Sequence, residues 1–122
     1  MWQWGGKSQH LIVRTIKAKT HPETKKLFWF LFVGSRGSDS RIRIMSVLRK
    51  RPGNINQLSR ELGMDYKGTQ HHIKILKENN LVKHVGKKYA RTYLVSVFFE
   101  ANESVFDEII IKLEMRIGNN CA

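Results

Sequence analysis

The sequence predicts a mainly α-helical protein of the α+β class, with one small antiparallel β-hairpin and a helix at its C-terminal end. In several segments, apolar residues recur at the three- and four-residue spacing of an amphipathic helix. Between residues 81 and 98, two β-prone stretches flank the turn sequence Gly86-Lys87-Lys88. The length of 122 residues fits a single domain with one hydrophobic core.

The chain is strongly basic, and its charge is unevenly distributed. Lys and Arg number 22 against 10 Asp and Glu, a formal net charge of +12. Of the basic residues, only Lys112 and Arg116 follow position 99, whereas half of the acidic residues lie between positions 100 and 114. This excess favours a polyanionic partner such as nucleic acid. We expect the C-terminal end to lie away from that partner.

Cysteine content and apolar runs limit the class of protein further. Cys121 is the only cysteine, which predicts no intramolecular disulfide, no thiolate metal cluster and a reducing cytoplasm. The longest apolar run, residues 27–33, is far below the roughly 20 residues of a membrane-spanning helix. The first ten residues lack the apolar core of a secretory signal. We therefore predict a cytoplasmic protein without a membrane segment.

Residues 1–21 are predicted to form an N-terminal arm, in which residues 10–19 suit either a short strand or a helix. A helix over residues 22–33 follows, because Pro22 and Glu23 are favoured in a first turn. This helix is apolar on nearly all sides, which fits a core helix or a dimer interface.

A glycine-containing turn, Gly34-Ser35-Arg36-Gly37, separates this helix from the next. Ser38 is the predicted N-cap of a helix that extends to about Arg51 and places Arg41 on its outer side. Pro52-Gly53 then ends the helix.

The stretch 54–82 has the pattern of two helices joined by a tight turn. Asn56 is the predicted cap of a short helix that Gly63 ends, and Asp65 is the predicted cap of a helix to about Asn79. Helical spacing places two sets of residues on opposite sides of this second helix. The inner set is Thr69, His72, Ile73 and Leu76, and the outer set is Tyr66, Lys67, Gln70, His71, Lys74 and Lys77.

The C-terminal third begins with two predicted strands, residues 81–85 and 89–98, which form a hairpin with a basic tip. A last helix follows Asn102 and carries the most regular apolar stripe of the chain. Its residues are Phe106, Ile109, Ile110, Leu113 and Ile117.

This order of elements is typical of a winged helix-turn-helix DNA-binding domain, here residues 22–98. A B-DNA major groove admits one α-helix, and its base edges can be read by amide, imidazole and cationic groups. The residues predicted to enter the groove are Tyr66, Lys67, Gln70, His71 and Lys74. Those predicted to contact the flanking backbone are Gln57, Arg60, Arg36, Arg41, Lys87, Lys88 and Arg91.

Two helices appear more apolar than one small core requires, which predicts a homodimer. Residues 99–122 are accordingly assigned as a C-terminal dimerisation helix and tail. The predicted dimerisation residues are Phe28, Trp29, Phe32, Phe106, Ile109, Ile110, Leu113 and Ile117.

The helix-turn-helix stretch also resembles a known family. Asn56-Gln57-Leu58, Asp65-Tyr66-Lys67 and His71-His72-Ile73, followed by Glu78-Asn79-Asn80-Leu81-Val82, resemble the ArsR-type winged-helix regulators, in particular a group common in archaea. The resemblance covers about residues 22–98, including the aromatic helix and the Gly-x-Arg-Gly turn. It implies a DNA-binding transcription regulator that is usually dimeric through terminal helices.

Two departures from that family pattern stand out. The Cys-x-Cys site of its metal-sensing members is absent and the last helix has no His, so we expect no metal and no cofactor. Adjacent His71 and His72 point about 100° apart on a helix and chelate poorly. Gly68 is unusual inside a helix, and it indicates either close approach to DNA or simple tolerance near the first turn.

Catalysis has no basis in the sequence, since no nucleophile set or carboxylate pair stands out. Two alternatives to sequence-specific regulation remain open. One is a winged-helix module that binds a protein of the transcription machinery. The other is a chromatin protein that binds all duplexes alike.

Overall fold

A computed structural model describes residues 21–121, with side chains up to residue 116. The predictions for residues 1–20, and those for the side chains of Ile117 and Cys121, lie outside the described part. The elements in chain order are α1 (Pro22–Trp29), a π-helical segment (Phe30–Gly34), α2 (Ser38–Leu48), α3 (Ile55–Leu62), α4 (Tyr66–Glu78), β1 (Val82–Val85), β2 (Thr92–Val95), α5 (Val97–Ala101) and α6 (Glu103–Cys121). Over residues 21–121, no helix has the length and apolarity that crossing a membrane requires.

Helix α1 begins where the sequence predicted. The Nδ1 atom of His21 accepts the backbone N–H of Glu23 at 3.1 Å, and Pro22 occupies the first turn. The helix then widens into the π-helical segment, whose free carbonyls need other donors. One donor is the hydroxyl of Ser35, which lies 2.6 Å from the Phe30 carbonyl oxygen.

The cap predicted for α2 is wrong. Gly37 is the N-cap, with φ of 82°, and Ser38 is already helical. A side chain at position 37 would also collide with the ring of His72, so both the backbone angle and the space favour glycine. The helix ends at Leu48 rather than Arg51, and Gly53 then pairs with Tyr93 of β2 through hydrogen bonds of 2.8 and 3.0 Å.

The cap predicted for α3 is also wrong by two residues. Asn54 and Gln57 form a reciprocal capping box, in which each side chain accepts the other's backbone N–H at 2.8 Å. Ile55 is therefore the first residue of the helix and is buried. The predicted end at Gly63 is confirmed, with φ of 66°.

Both predicted ends of α4 are confirmed. Asp65 caps the helix by accepting the N–H of Gly68 at 3.0 Å. At the other end, Asn80 has φ of 64°, and the N–H of Leu81 returns to the Leu76 carbonyl at 2.9 Å. This exit turns the chain directly into the hairpin.

The hairpin is antiparallel, but its second strand is shorter than predicted. Val82 pairs with Val95 and Val85 with Thr92, and residues 86–91 form a loop that we call the wing loop. The strand does not continue to Phe98, because Ser96 caps α5 by accepting the N–H of Phe99 at 3.0 Å.

The core combines aliphatic side chains of α2, α3 and α4 with an aromatic cluster from α1, the π-helical segment, α5 and α6. Phe28 stacks on Phe99 with centroids 6.1 Å apart, and Phe106 contacts Phe32 and Phe99 edge-on at 5.0 and 5.2 Å. Each ring, when fully buried, contributes roughly 1.5–3 kcal/mol. Phe28, Phe32, Phe106 and Ile109 are thus inside a single chain, and the prediction that they face a second subunit is wrong.

An ion-pair cluster attaches α2 to α6. Arg49 contacts Asp107 at 2.6 Å and Glu103 at 2.7 Å, and its guanidinium lies 5.4 Å from the centre of the Phe106 ring. The hydrogen bonds that Arg49 donates to both carboxylates raise its pKa above the usual value, the bond to Asp107 most strongly. The acidic residues at the C-terminal end therefore serve partly to hold the terminal helix.

Candidate nucleic-acid interface

The outer face of α4 carries the six residues that helical spacing placed there. All six side chains are exposed, and they are Tyr66, Lys67, Gln70, His71, Lys74 and Lys77. On the opposite side, Thr69, Ile73 and Leu76 are buried against the core, which fixes the rotation of the helix. We call the six exposed residues the α4 outer face.

The wing loop lies beside this face and encloses two clefts with it. One cleft of about 910 Å³ lies between the start of α3, the start of α4 and the wing loop, and Tyr66, Gln70, Lys88 and Arg91 are among its lining residues. The other, of about 440 Å³, runs along α4 from Lys67 to Lys77 and is closed by Arg91. Gln70 and Arg91 line both clefts, so the fold brings together cations that are far apart in sequence.

The other predicted backbone contacts are distributed differently. Arg36, Arg60 and Lys87 are exposed, as predicted. Gln57 is exposed too, but its side-chain oxygen is used by the α3 cap, and it lines a separate cleft with Arg51 and Glu61. Gln57 therefore does not line either cleft beside the α4 outer face.

Arg41 is the clear correction among the predicted site residues. It is only 2% exposed, so the prediction that it lies on the outer side of its helix is wrong. Its Nε donates to the Leu31 carbonyl at 2.8 Å, and its terminal nitrogens contact the Ser35 hydroxyl and Nδ1 of His72, the latter at 3.3 Å. A carbonyl of the π-helical segment, ten residues away in sequence, thus draws this cation inward.

The two adjacent histidines have different environments. His71 is exposed on the α4 outer face, whereas His72 is half-buried beside Arg41 and Gly37. Burial lowers the pKa of His72 below its usual value, and the charges of Arg41 and His71 lower it further. His72 is therefore held in its neutral form.

Three exposed residues at this surface were missed as contacts by the sequence interpretation. Asn54 and Asn56 line the larger cleft together with Tyr89, whose side chain is 95% exposed at the wing loop. The ammonium of Lys88 lies 5.7 Å from the centre of the Tyr89 ring. The signal for Tyr89 was its position beside two lysines, which the strand interpretation obscured.

A search of residues 21–116 for metal-binding groups finds no cluster of three or more His, Cys, Asp or Glu side chains. The ring centroids of His71 and His72 are 5.4 Å apart, and their planes are inclined by 60°.

Comparison with known proteins places these features in a family context. Residues 38–84 match the sequence profile of the bacterial regulatory protein arsR family. No curated protein matches the sequence significantly.

Several solved structures share the fold. Reduced HlyU from Vibrio cholerae N16961 aligns over 75% of this chain and 90% of its own, with 18% identity and a TM-score of 0.55. The homodimeric winged helix-turn-helix DNA-binding domain Mb0332 from Mycobacterium bovis, a possible ArsR-family regulator, aligns over 93% and 88%, with 13% identity and a TM-score of 0.52. A MarR family protein from Bacillus stearothermophilus aligns over 98% and 81%, with 15% identity and a TM-score of 0.55.

These structures have low sequence identity to the chain, so the comparison with them concerns the fold. The profile match, in contrast, rests on the sequence of residues 38–84, which include α2, α3 and α4. Residues 38–84 are thus similar in sequence to the arsR family, and the chain has the winged helix-turn-helix fold.

Proposed function

We propose that this chain is a sequence-specific double-stranded DNA-binding transcription regulator that acts as a homodimer. In this proposal α4 enters the major groove, and Lys87, Lys88 and Arg91 contact flanking phosphates. The observation that carries it is the α4 outer face, which presents only polar and cationic side chains and Tyr66 beside the basic wing loop. The protein acts in the cytoplasm on chromosomal DNA and needs no metal or cofactor.

The charge distribution supports the same orientation. The cationic groups of α4 and the wing loop line common clefts, while Glu103 and Asp107 are engaged by Arg49 on another element. The arsR-family profile match and the fold of known regulators agree with regulation rather than catalysis. The closer resemblance to an archaeal group remains an expectation from the sequence motifs.

The homodimer is proposed from apolar side chains that the chain itself leaves uncovered. Phe30 is 59% exposed on the π-helical segment, and Ile111 and Met115 are 56% and 62% exposed on α6. Trp29 at the end of α1, and Ile110 and Leu113 on α6, are half-buried. We assign these residues to the dimer interface in place of the predicted members that are buried. Mb0332, which is described as homodimeric, shares the fold. Two α4 helices would then address half-sites about 34 Å apart.

Selection of bound fragments from a random duplex pool tests the DNA-binding proposal. We expect one enriched sequence, with an affinity at least about a thousandfold above that for random duplex at physiological salt. Equal affinity for all duplexes would instead indicate a sequence-neutral chromatin protein. Absence of salt-dependent duplex binding would favour the protein-interaction module.

Sedimentation equilibrium tests the dimer. Met115→Glu places a charge in the proposed interface and is expected to shift the mass in solution from dimer to monomer. Val97→Glu is the matched control. Val97 is 70% exposed, but it belongs to α5 and lines a cleft that is not part of the proposed interface. A monomeric wild-type chain, or equal effects of both substitutions, would contradict the proposed interface.

A further inference from the structure

Arg41 joins three parts of the fold that are separate in sequence. Its guanidinium contacts the Leu31 carbonyl in the π-helical segment, the Ser35 hydroxyl in the turn, and Nδ1 of His72 in α4. Among the residues that the structure describes, no carboxylate pairs with it, and burial lowers its pKa. Every contact of this buried cation therefore uses a neutral acceptor.

The contact with His72 depends on the protonation state of its ring. An arginine has donors only, so Nδ1 must carry a lone pair to accept from Arg41. Gly37 is packed so closely against the ring that a β-carbon there would overlap it. The ring is thus held between α2 and the turn, and it can accept from Arg41 only while it is neutral.

We propose that Arg41 and His72 are positioning residues that hold α4 against the π-helical segment and the turn in its DNA-reading orientation, and that protonation of His72 releases this hold. The proposal rests on the proposed function. His72 itself does not touch DNA, since it is half-buried and is not part of the α4 outer face. It acts through its neighbours on α4, His71 and Gln70.

The charges around His72 explain why release is the outcome of protonation. The cation that faces it from α2 is Arg41, the other titratable group beside it is His71 of its own helix, and the turn contributes Gly37 and Ser35, which do not titrate. Protonation would bring two cations within 3.3 Å without a compensating carboxylate among the described residues. Repulsion at that distance favours rotation of the ring out of its site.

The test compares the full chain with His72→Asn, because the Asn side-chain oxygen can replace Nδ1 as acceptor but does not titrate. Fluorescence anisotropy measures affinity for a duplex selected at pH 7.5 and for a random duplex of equal length, from pH 8.0 to 4.5 at constant ionic strength. The ratio of the two affinities removes the general gain in cationic charge at low pH. His21→Asn is the control for a histidine on another element, where the Asn side chain can also cap α1.

At pH values below the pKa of His72, we expect the affinity ratio of the wild type to fall. The fall should reach up to about tenfold per pH unit, which is the limit for uptake of one proton. The ratio for His72→Asn should stay constant, and that for His21→Asn should fall as in the wild type. Equal pH profiles of the wild type and His72→Asn, with specific binding intact, would overturn the positioning role while the proposed function stood.

A second readout does not require DNA. In the free chain, NMR titration should show the α4 backbone amides shifting together with the His72 ring, and this shift should disappear in His72→Asn. Failure to bind any duplex at any pH would refute the proposed function. The amide titration would then test whether His72 positions α4. If the α4 amide signals did not shift as His72 titrates, this positioning role would be refuted.

Discussion

The carboxylate of Asp65 occupies the space in which a side chain at position 68 would begin. Its Oδ2 accepts the N–H of Gly68 at 3.0 Å, and a β-carbon on that residue would lie 2.7 Å from Oδ1 of the same carboxylate. The glycine that seemed unfavourable inside a helix therefore leaves room for the helix cap. The structure supplies this reason in addition to the two that the sequence left open.

A double-mutant cycle tests this relationship. Asp65→Ala should lower the free energy of unfolding by about 1 kcal/mol through loss of the cap. Gly68→Ala alone should not raise the free energy of unfolding. Its better helix propensity contributes up to about 1 kcal/mol, but displacement of the Asp65 cap offsets this contribution. In the Asp65→Ala background, the same Gly68→Ala change should stabilise by about 0.5–1 kcal/mol. Urea unfolding measures all four proteins, and additive effects would contradict the space argument.

The Arg49 cluster is expected to stabilise the docking of α6. Arg49→Met keeps much of the aliphatic stem but removes charged hydrogen bonds to Asp107 and Glu103. Such bonds contribute roughly 1.5–3 kcal/mol, and partial exposure of both carboxylates lowers our expectation to about 1–2 kcal/mol.

Lys26→Met is the matched control for Arg49→Met. It removes a surface pair with Glu23 at 3.7 Å between two well-exposed side chains, and such pairs contribute less than about 1 kcal/mol. Thermal unfolding should show a clearly larger fall in Tm for Arg49→Met than for Lys26→Met. Similar falls for both variants would count against a structural role of the cluster.

The environment of His72 also predicts how stability depends on pH. Burial, then Arg41 and His71, lower its pKa in the folded chain below the value of about 6.5 that it has when unfolded. The unfolded chain then binds the proton more readily, so this contribution to stability is complete above pH 6.5 and is lost as the pH falls through the folded-state pKa.

Urea unfolding at pH 7.5 and pH 5.0 measures this loss. His72→Asn should lose less stability than the wild type over the same interval. His84, whose pKa is likewise lowered by burial first and then by Lys77 and Arg91, is common to both proteins and does not affect the comparison. A larger loss in His72→Asn would show that the sign of the His72 contribution is wrong.

The sequence was sufficient for the helix-turn-helix because its signals there are local. Asp65 and Gly63 mark helix ends by their own side-chain and backbone preferences, and the spacing of Thr69, Ile73 and Leu76 determines which side of α4 is buried. The α4 outer face follows from the same spacing. These features needed no knowledge of the rest of the fold.

The errors about burial arose where a distant partner decides the outcome. Arg41 is buried because the Leu31 carbonyl and His72 accept from it, and no pattern around position 41 shows either. Likewise, Phe106 appeared surplus to one core because the sequence does not show that Phe32 and Phe99 meet it inside the same chain. Sequence periodicity gives the apolar side of a helix but not the surface that covers it.

The division of labour within the interface is tested by two single substitutions. Gln70 lines both clefts beside α4, and Gln70→Ala should cost about 1–3 kcal/mol at particular base pairs while leaving affinity for random duplex nearly unchanged. Lys88→Ala should weaken all duplexes alike and reduce the slope of log affinity against log salt by about 1, because it removes one phosphate contact. Lys83→Ala removes the same charge from the hairpin at a residue that lines a different cleft, so its salt slope should match the wild type.

Competition binding with single-base variants of a selected duplex at several salt concentrations measures both effects. Equal losses on selected and random duplex for Gln70→Ala and Lys88→Ala would contradict the assignment of α4 to base reading, because a residue that only neutralises phosphates cannot discriminate between sequences.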